Sequence, residues 1–428
     1  MKTIINPPVK EWASLIQRPL KSLLELDKTV DEVFEAVRKN GDQALLDYTK
    51  KFDQVEVKNL LIERDELKNS SRLIPEKLKK AIKLAYANIS TFHKSQREEV
   101  QKVETSPGVI CWRESRAIER VGIYIPGGSA PLFSTVLMLG IPAKIAGCGE
   151  IILCTPPDKN GKINPVILYC AYLIGVSAVF AVGGIQAIGA MTFGTKSIPR
   201  VYKIFGPGNQ YVTAAKQRAQ NFGVAIDMPA GPSELLIIAD KTSNPEFVAA
   251  DLLSQAEHGV DSQVILLCTS AKLIRDIKKS LSAQLKKLPR VKIATEALKN
   301  SFAIQLRNEF DCVGFSNLYA PEHLIIASEK AERLALSVVS AGSVFIGKYA
   351  CESAGDYASG TNHTLPTNGY ARNYSGVSLE SFIRKITFQK ITKRGIQKIG
   401  PAIELMAEAE ELIAHKNAVS VRLKKSVK

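Results

Sequence analysis

VGIYIPGGSAPLFSTVLMLGIPAKIAGCGEIILC (121–154) decides the fold class. VGIYI (121–125) is an unbroken apolar run of strand length, and PGGSAP (126–131) is a tight loop. Residues 134–146 have the length and apolar content of a buried helix, and IILC (151–154) is a second strand. The pattern continues outward with a helix at 165–174, a strand ending at Val182 and a helix from Ile185. The strand VYKIF (201–205) then runs into GPGN (206–209), with a helix to about Gln220. Strands alternating with helices at this interval predict βαβ units and a mainly parallel sheet. The rhythm restarts after DMPAGPSE (227–234) with LLIIA (235–239), a helix over 246–257, QVILLC (263–268) and a helix over 271–287, so a second α/β sheet is expected. Upstream, residues 30–52 read as helix with a break at Gly41-Asp42, and 75–99 as a Lys-rich amphipathic helix. From Ser375 the texture changes to an amphipathic helix, a β-like run ITFQKIT (386–392) and a long helix ending near His415, which together read as a separate tail.

The bulk properties bound the function. At 428 residues, 45% apolar and 23% charged, the chain has length for several domains and the composition of a globular protein. Lys and Arg number 57 against 42 Asp and Glu, a net +15. The basic residues are dispersed, as at 77–83 and in the tail 422–428, without interleaved aromatic residues. That pattern reads as solvated surface and no nucleic acid is expected as a partner. Residues 163–195 carry no charge, long enough for a bilayer. Asn164-Pro165, Gly175, Gly183-Gly184 and Gln186 divide them into a buried strand between two helices, so no membrane span is expected. Seven cysteines fit neither a disulfide framework nor a CxxC metal site, and MKTIINPPVKEW (1–12) carries no targeting pattern, so a reducing cytoplasm is expected.

The chemistry gathers around histidine. Of five, His93 sits mid-helix in TFHKSQ (91–96) and reads as surface. The others lie at element ends beside acids and turns: SQAEHG (254–259), APEHL (320–324), GTNHTLPT (360–367) and AEELIAHKNA (409–418). Gln255 and His258, three apart at a helix end, share a face. Zinc takes converging N and O donors, which nominates His258, His415 and Asp356 and leaves Gln255 and Glu257 open for a fourth. Glu322-His323 offers two adjacent proton acceptors of different basicity, suited to general acid–base work, although the same pair fits a helix cap. Three Gly-rich strand-to-helix turns, at 126–128, 183–184 and 206–209, offer backbone N–H groups to a pyrophosphate and suggest a dinucleotide crevice. Cys148 and Cys154 sit in apolar surroundings and read as inert.

Taken together, VGIYIPGGSAPLFSTVLMLGIPAKIAGC (121–148), GPGNQYVTAAK (206–216), DMPAGPSELLIIAD (227–240), DLLSQAEHG (251–259), APEHL (320–324), AGSVFIG (341–347), ESAGDYASGTNHTLPT (352–367) and EELIAHKNAV (410–419) resemble the histidinol dehydrogenases over nearly the whole chain. The resemblance implies oxidation of L-histidinol to L-histidine through L-histidinaldehyde with two NAD⁺, the last steps of histidine biosynthesis. It implies one zinc ion per subunit on Gln255, His258, Asp356 and His415, which decides for the amide, and a catalytic pair of Glu322 and His323. Substrate contacts fall on Ser233, Gln255, His258, His323, Asp356, Glu410 and His415, and NAD contacts on Tyr124, Gln186 and Asn209. His363 is a neighbour of the site. The implied architecture is two incomplete Rossmann-like parallel-sheet domains with a small N-terminal helical segment and an extended C-terminal tail. Residues 1–20 form the helical segment, 21–123 and 234–377 the main domain with the metal and substrate site, 124–233 the NAD-binding domain, and 378–428 a tail exchanged in a homodimer with shared active sites. The other substrate class within the family is a small non-imidazole diol or amino alcohol.

Overall fold

The computed structural model describes residues 1–18, 24–127 and 131–424. Gly128 of the first Gly-rich turn, the expected boundary at 20/21 and the last four residues of the basic tail lie outside the described residues. The chain divides into two compact units, Met1–Ser95 with Ile118–Phe382, and Gln96–Ala117 with Ile383–Lys428.

Two parallel sheets make the larger unit. In the first, the strands run Lys2–Ile5, Phe302–Gln305, Gln263–Cys268, Glu234–Ala239, His323–Ala327 and Ser343–Ile346 from edge to edge. Successive side chains of a strand point to opposite faces. Leu235, Ile237, Val264 and Ile325 therefore enter one apolar cluster with the helices Pro245–Ala256 and Ala271–Leu285. Leu236, Ile238, Ile265 and Leu324 enter another with Trp12, Phe315 and Tyr319. Burial on both faces is why these strands read as continuous apolar runs.

The second sheet orders Ala178–Ala181, Glu150–Thr155, Arg120–Tyr124, Lys203–Phe205 and Ala225–Ile226, again all parallel. The uncharged stretch becomes the helix Pro165–Ile174, a buried strand and the helix Gly184–Phe193. No helix among the described residues is long and apolar enough to cross a membrane. The architecture is thus the expected pair of parallel α/β sheets.

Two details differ from the sequence reading. Lys2–Ile5 is an edge strand on Phe302–Gln305, and the first helix, Val9–Leu15, starts only after Pro7-Pro8. Residues grouped above with the metal-site domain also pack elsewhere: Val30, Val33, Phe34 and Val37 of the Leu24–Asn40 helix join Ile188 and Met191 against the five-stranded sheet. The expected boundary at 123/124 falls inside the Arg120–Tyr124 strand.

In the smaller unit, Ile383–Ile391, Val109–Ala117 and Lys102–Ser106 form an antiparallel sheet, with Trp112 stacked on Phe388 at 5.4 Å. The hairpin at 102–117 was not read from the sequence, although Pro107-Gly108 marks its turn and Gly108 takes φ +83 there. The long helix expected up to His415 is two helices, Lys393–Ala409 and Ile413–Lys424. Glu411 adopts φ +59 and the Leu412 N–H bonds back to Ala407 O, which ends the first helix. The pair closes where Gly400 leaves room for Val419 and Leu423.

Candidate active site

His323 and Glu322 lie at the amino end of a central strand, not in a helix cap. Pro321 and the left-handed Ala320 (φ +54) turn the chain into the strand His323–Ala327. The neighbouring strand begins at Glu234, and its backbone holds both side chains. Glu234 N–H donates to Glu322 Oε2 at 2.8 Å, and Glu234 O accepts from His323 Nδ1 at 3.3 Å. A carbonyl only accepts, so in the neutral imidazole the proton sits on Nδ1 and the lone pair on Nε2. Nε2 is buried without a hydrogen-bond partner and lies 3.6 Å from Asp356 Oδ1.

Glu234 is itself tied down. Arg18 Nε and Nη2 donate to its two oxygens at 2.6 and 2.9 Å, Asn368 N–H donates at 3.0 Å, and the guanidinium stacks 3.9 Å above Tyr319. Such a bidentate, buried pair fixes geometry more than it adds stability. Neither Arg18 nor Glu234 stood out in the sequence, because their partnership spans 216 residues.

Electrostatics separate the pair. Burial pushes the Glu322 carboxyl up to about 7, against the opposite pull of His323 and of the Glu234 N–H. Burial alone lowers His323, but the carboxylates of Glu322, Glu352 and Asp356 outweigh it and raise the imidazole to about 10. A positive charge placed among those carboxylates opposes that shift.

The side chains expected to hold a metal arrive from two helices. Asn244 caps the helix Pro245–Ala256 through Oδ1, and Pro245 occupies its first turn. Gln255 lies in its last turn and His258 just beyond. Gln255 is fully buried, and neither atom of its amide has a hydrogen-bond partner. Asp356 lies on the short helix Glu352–Tyr357. Ligand atoms of His258, Glu352 and Asp356 fall within 4.8 Å of one another. The sequence reading missed Glu352, although its spacing of four from Asp356 places both on one helix face. An unpaired buried amide beside imidazole and carboxylates is a donor set that fits zinc.

His363 joins the same cluster, with Nδ1 3.0 Å from Asp356 O and Nε2 3.2 Å from Thr135 Oγ1. Thr135 belongs to the first turn of the helix Phe133–Ala146, which follows the first strand of the five-stranded sheet. His363 thus links the helix that carries Asp356 to the helix Phe133–Ala146. Ser233 immediately precedes the Glu234–Ala239 strand.

At the carboxyl ends of the five-stranded sheet, Tyr124 Oη accepts from Gly184 N–H at 3.1 Å. Gln186 is fully buried with both amide atoms unpaired. Gly206, at φ +129, leaves space in which a Cβ would stand 2.1 Å from Tyr124 O. It is held by Lys216, which donates to Gly206 O at 2.8 Å, and by Asp227, which accepts from Gly206 N–H at 2.8 Å. Lys216 and Asp227 form a buried ion pair at 2.5 Å. Asn209 caps the next helix through Oδ1. Buried unpaired amides and glycine turns at helix starts suit a dinucleotide.

Glu410 and His415 lie in the smaller unit, both exposed, at the end of one helix and the start of the next. His93 corrects the sequence reading: it is completely buried, with Nδ1 2.9 Å from Ile89 O and Nε2 3.4 Å from Asn362 Nδ2. Cys148 and Cys154 are buried and their thiols pushed up by burial, Cys148 to about 11, so both stay protonated and inert.

Residues 16–423 match the family model described as histidinol dehydrogenase. A histidinol dehydrogenase of Bacteroides thetaiotaomicron is 58% identical over 423 residues, 99% of either chain. A chloroplastic histidinol dehydrogenase of Arabidopsis thaliana is 50% identical over 414 residues, 96% of this chain and 88% of its own. The crystal structure of histidinol dehydrogenase from Elizabethkingia anophelis superposes with a TM-score of 0.98 at 63% identity, covering 100% of this chain and 99% of that one.

Proposed function

The chain belongs to the histidinol dehydrogenase family and catalyses the last steps of histidine biosynthesis; from that premise we propose that it converts L-histidinol to L-histidine through L-histidinaldehyde at the cluster around His323, with two NAD⁺ and one zinc ion per subunit. The observation that carries the reading is the clamp of Glu234 on the pair: it presents the bare Nε2 of His323 towards Asp356 while it holds Glu322 alongside.

Gln255, His258, Asp356 and His415 would hold the zinc. Bound there, zinc supplies a fixed charge that orients the imidazole and amino nitrogens of the substrate, and NAD⁺, held by Tyr124, Gln186 and Asn209, supplies the hydride acceptor. Ser233 and Glu410 bind polar ends of the substrate. His323 Nε2 accepts the alcohol proton as hydride leaves the carbon. Glu322, a buried carboxyl titrating near neutrality, takes a proton from the water that adds to the aldehyde. After passing that first proton to solvent, His323 accepts the proton of the hydrate as the second hydride departs. The test is NADH counted against histidine formed, before and after chelation. Two NADH per histidine, abolished by the chelator and restored by Zn²⁺, are expected. Full activity in metal-free protein, or one NADH per turnover, would refute this.

The tail reaches the site of a second copy. Leu405, Met406, Leu412 and Ile413 surround Glu410 and His415 in sequence and are exposed, an apolar face that needs a cover. When His323→Ala and His415→Ala subunits are mixed, a swapped tail leaves one intact site in each heterodimer, so about a quarter of wild-type activity returns. No recovery after verified exchange would show that each tail serves its own subunit. The seven free thiols favour a reducing cytoplasm.

A further inference from the structure

We infer that Arg18 is a positioning residue for the proton-transfer pair: its guanidinium locks the Glu234 side chain to the end of the helix that leads into Glu322 and His323. The inference rests on the roles given to Glu322 and His323 above and deepens them.

The backbone of Glu234 holds the pair, its N–H on Glu322 and its C=O on His323. Arg18 Nε and Nη2 donate to the two side-chain oxygens of that same Glu234 at 2.6 and 2.9 Å. Nη2 donates also to Tyr319 O at 2.8 Å. Tyr319 is the last residue of the helix Glu309–Tyr319, and only Ala320 and Pro321 separate it from Glu322. One planar group therefore grips both segments that meet at the pair: the strand that receives the two side chains and the turn that delivers them. The Tyr319 ring stacks on the guanidinium at 3.9 Å, and its hydroxyl donates to Gln263 Oε1 at 2.8 Å, on the strand beside Glu234. The Arg18 and Glu234 side chains are nearly enclosed, at 10% and 2% exposure.

This place demands arginine. A carbonyl at a helix C-terminus lacks an intrahelical partner and favours a cation, while the carboxylate takes two parallel donors. A guanidinium serves both because its N–H groups are fixed in one plane; an ammonium is a point charge and leaves a contact unmade. Burial pushes the Glu234 carboxyl up, and Arg18 supplies the largest opposing pull. Without Arg18, Glu234 becomes either a buried unpaired charge or an acid whose O–H must find a new acceptor. Either outcome rearranges the strand end on which the pair depends. Glu322 and His323 would then be present but displaced, and a misplacement of about 1 Å can cost about 10²-fold in rate.

The test uses the full-length protein in separate assays of histidinol and histidinaldehyde oxidation. Arg18→Met should lower kcat by about 10- to 100-fold on both steps. The KM for histidinol and for NAD⁺ should stay near parental, because no substrate contact is removed. Arg18→Lys keeps the charge without the fork and should recover only part of the loss; it carries the same measurements should the methionine variant not fold. A double-mutant cycle separates positioning from a general loss of structure. On the aldehyde step, Arg18→Met should cost clearly less in a Glu322→Gln background than in the parent, since a side chain already disabled cannot be misplaced. Parental kcat in folded Arg18→Met, full activity in Arg18→Lys, a loss confined to KM, or penalties that multiply in the double variant each overturn the inference. Parental aldehyde oxidation in Glu322→Gln alone would instead refute the role given to Glu322, and the inference with it.

Discussion

In the five-stranded sheet the polar and glycine-rich positions follow the carboxyl ends of the strands: Tyr124, Gly183-Gly184 with Gln186, and Gly206. In the six-stranded sheet Glu234 and His323 open their strands, so the titrating groups lie at the amino ends. Open α/β sheets normally bind at the carboxyl ends, where helix N-termini present N–H groups to phosphates. The five-stranded sheet follows that rule. In the six-stranded sheet the carboxyl end of the Glu234–Ala239 strand is tied down by hydrogen bonds instead. Asp240, just past the Glu234–Ala239 strand, accepts from Thr242 N–H and Oγ1 at 2.8 and 2.6 Å, from Ser328 Oγ at 2.7 Å and from Glu329 N–H at 2.9 Å. The candidate site lies at the opposite end, where the helix Pro245–Ala256 finishes. A helix C-terminus is the negative end of the dipole. It favours cations and imidazolium, whereas the N-termini beside Gly184 and Asn209 favour anions. One architecture therefore supplies opposite electrostatics, according to which end of a sheet carries the candidate site.

The largest test of that contrast removes the base at the amino edge. His323→Ala should lower kcat for both oxidation steps by about 10²- to 10⁴-fold, the range for a positioned proton acceptor. Glu322→Gln should slow aldehyde oxidation more than alcohol oxidation, measured in separate assays with each substrate. Equal losses at both steps would remove the division of labour within the pair.

Next in size is the carboxyl edge of the other sheet. Gly206→Ala forces a Cβ against Tyr124 O at a positive φ, a strain of about 1–3 kcal/mol. The KM for NAD⁺ should rise well before that for histidinol. A parallel rise in both would mean that the two edges are not functionally distinct.

The smallest effect on turnover is expected at Asp240, just past the Glu234–Ala239 strand. Burial alone would raise the Asp240 carboxyl, but its hydrogen bonds to Thr242, Ser328 and Glu329 hold it below the usual value. Its contribution to stability is therefore present above the unfolded value of about 3.9, and is lost as pH falls through the lower folded value. Asp240→Asn should cost about 1–3 kcal/mol in urea unfolding at neutral pH, with the gap to the parent closing below about pH 4. The kcat/KM values should not change. A large loss of turnover with intact stability would place a ligand at this edge after all.

The alternation of 121–154 was readable because its strands are buried on both faces and bounded by glycine and proline. The helix expected over 246–257 is found at Pro245–Ala256, started by the Asn244 cap and by Pro245 in its first turn. His93 was misread because a histidine in a Lys-rich helix looks solvated until Asn362 packs on it. The break at Glu411 was invisible for a related reason, since no glycine or proline marks it and a charged residue takes the left-handed position.

By itself the sequence determined the local periods, the turns and the stretches whose resemblance names the family, because spacing along a chain dictates which side chains share a face. The tertiary structure alone decided that Glu322 and His323 stand at the amino end of their sheet and that Glu234 fixes the tautomer of the neutral His323. It also decided that Arg18 braces Glu234 and that Glu352 stands unpaired beside Asp356. Each of these depends on contacts between segments far apart in the chain, and a local pattern carries no record of which distant groups desolvate or neutralise a charge.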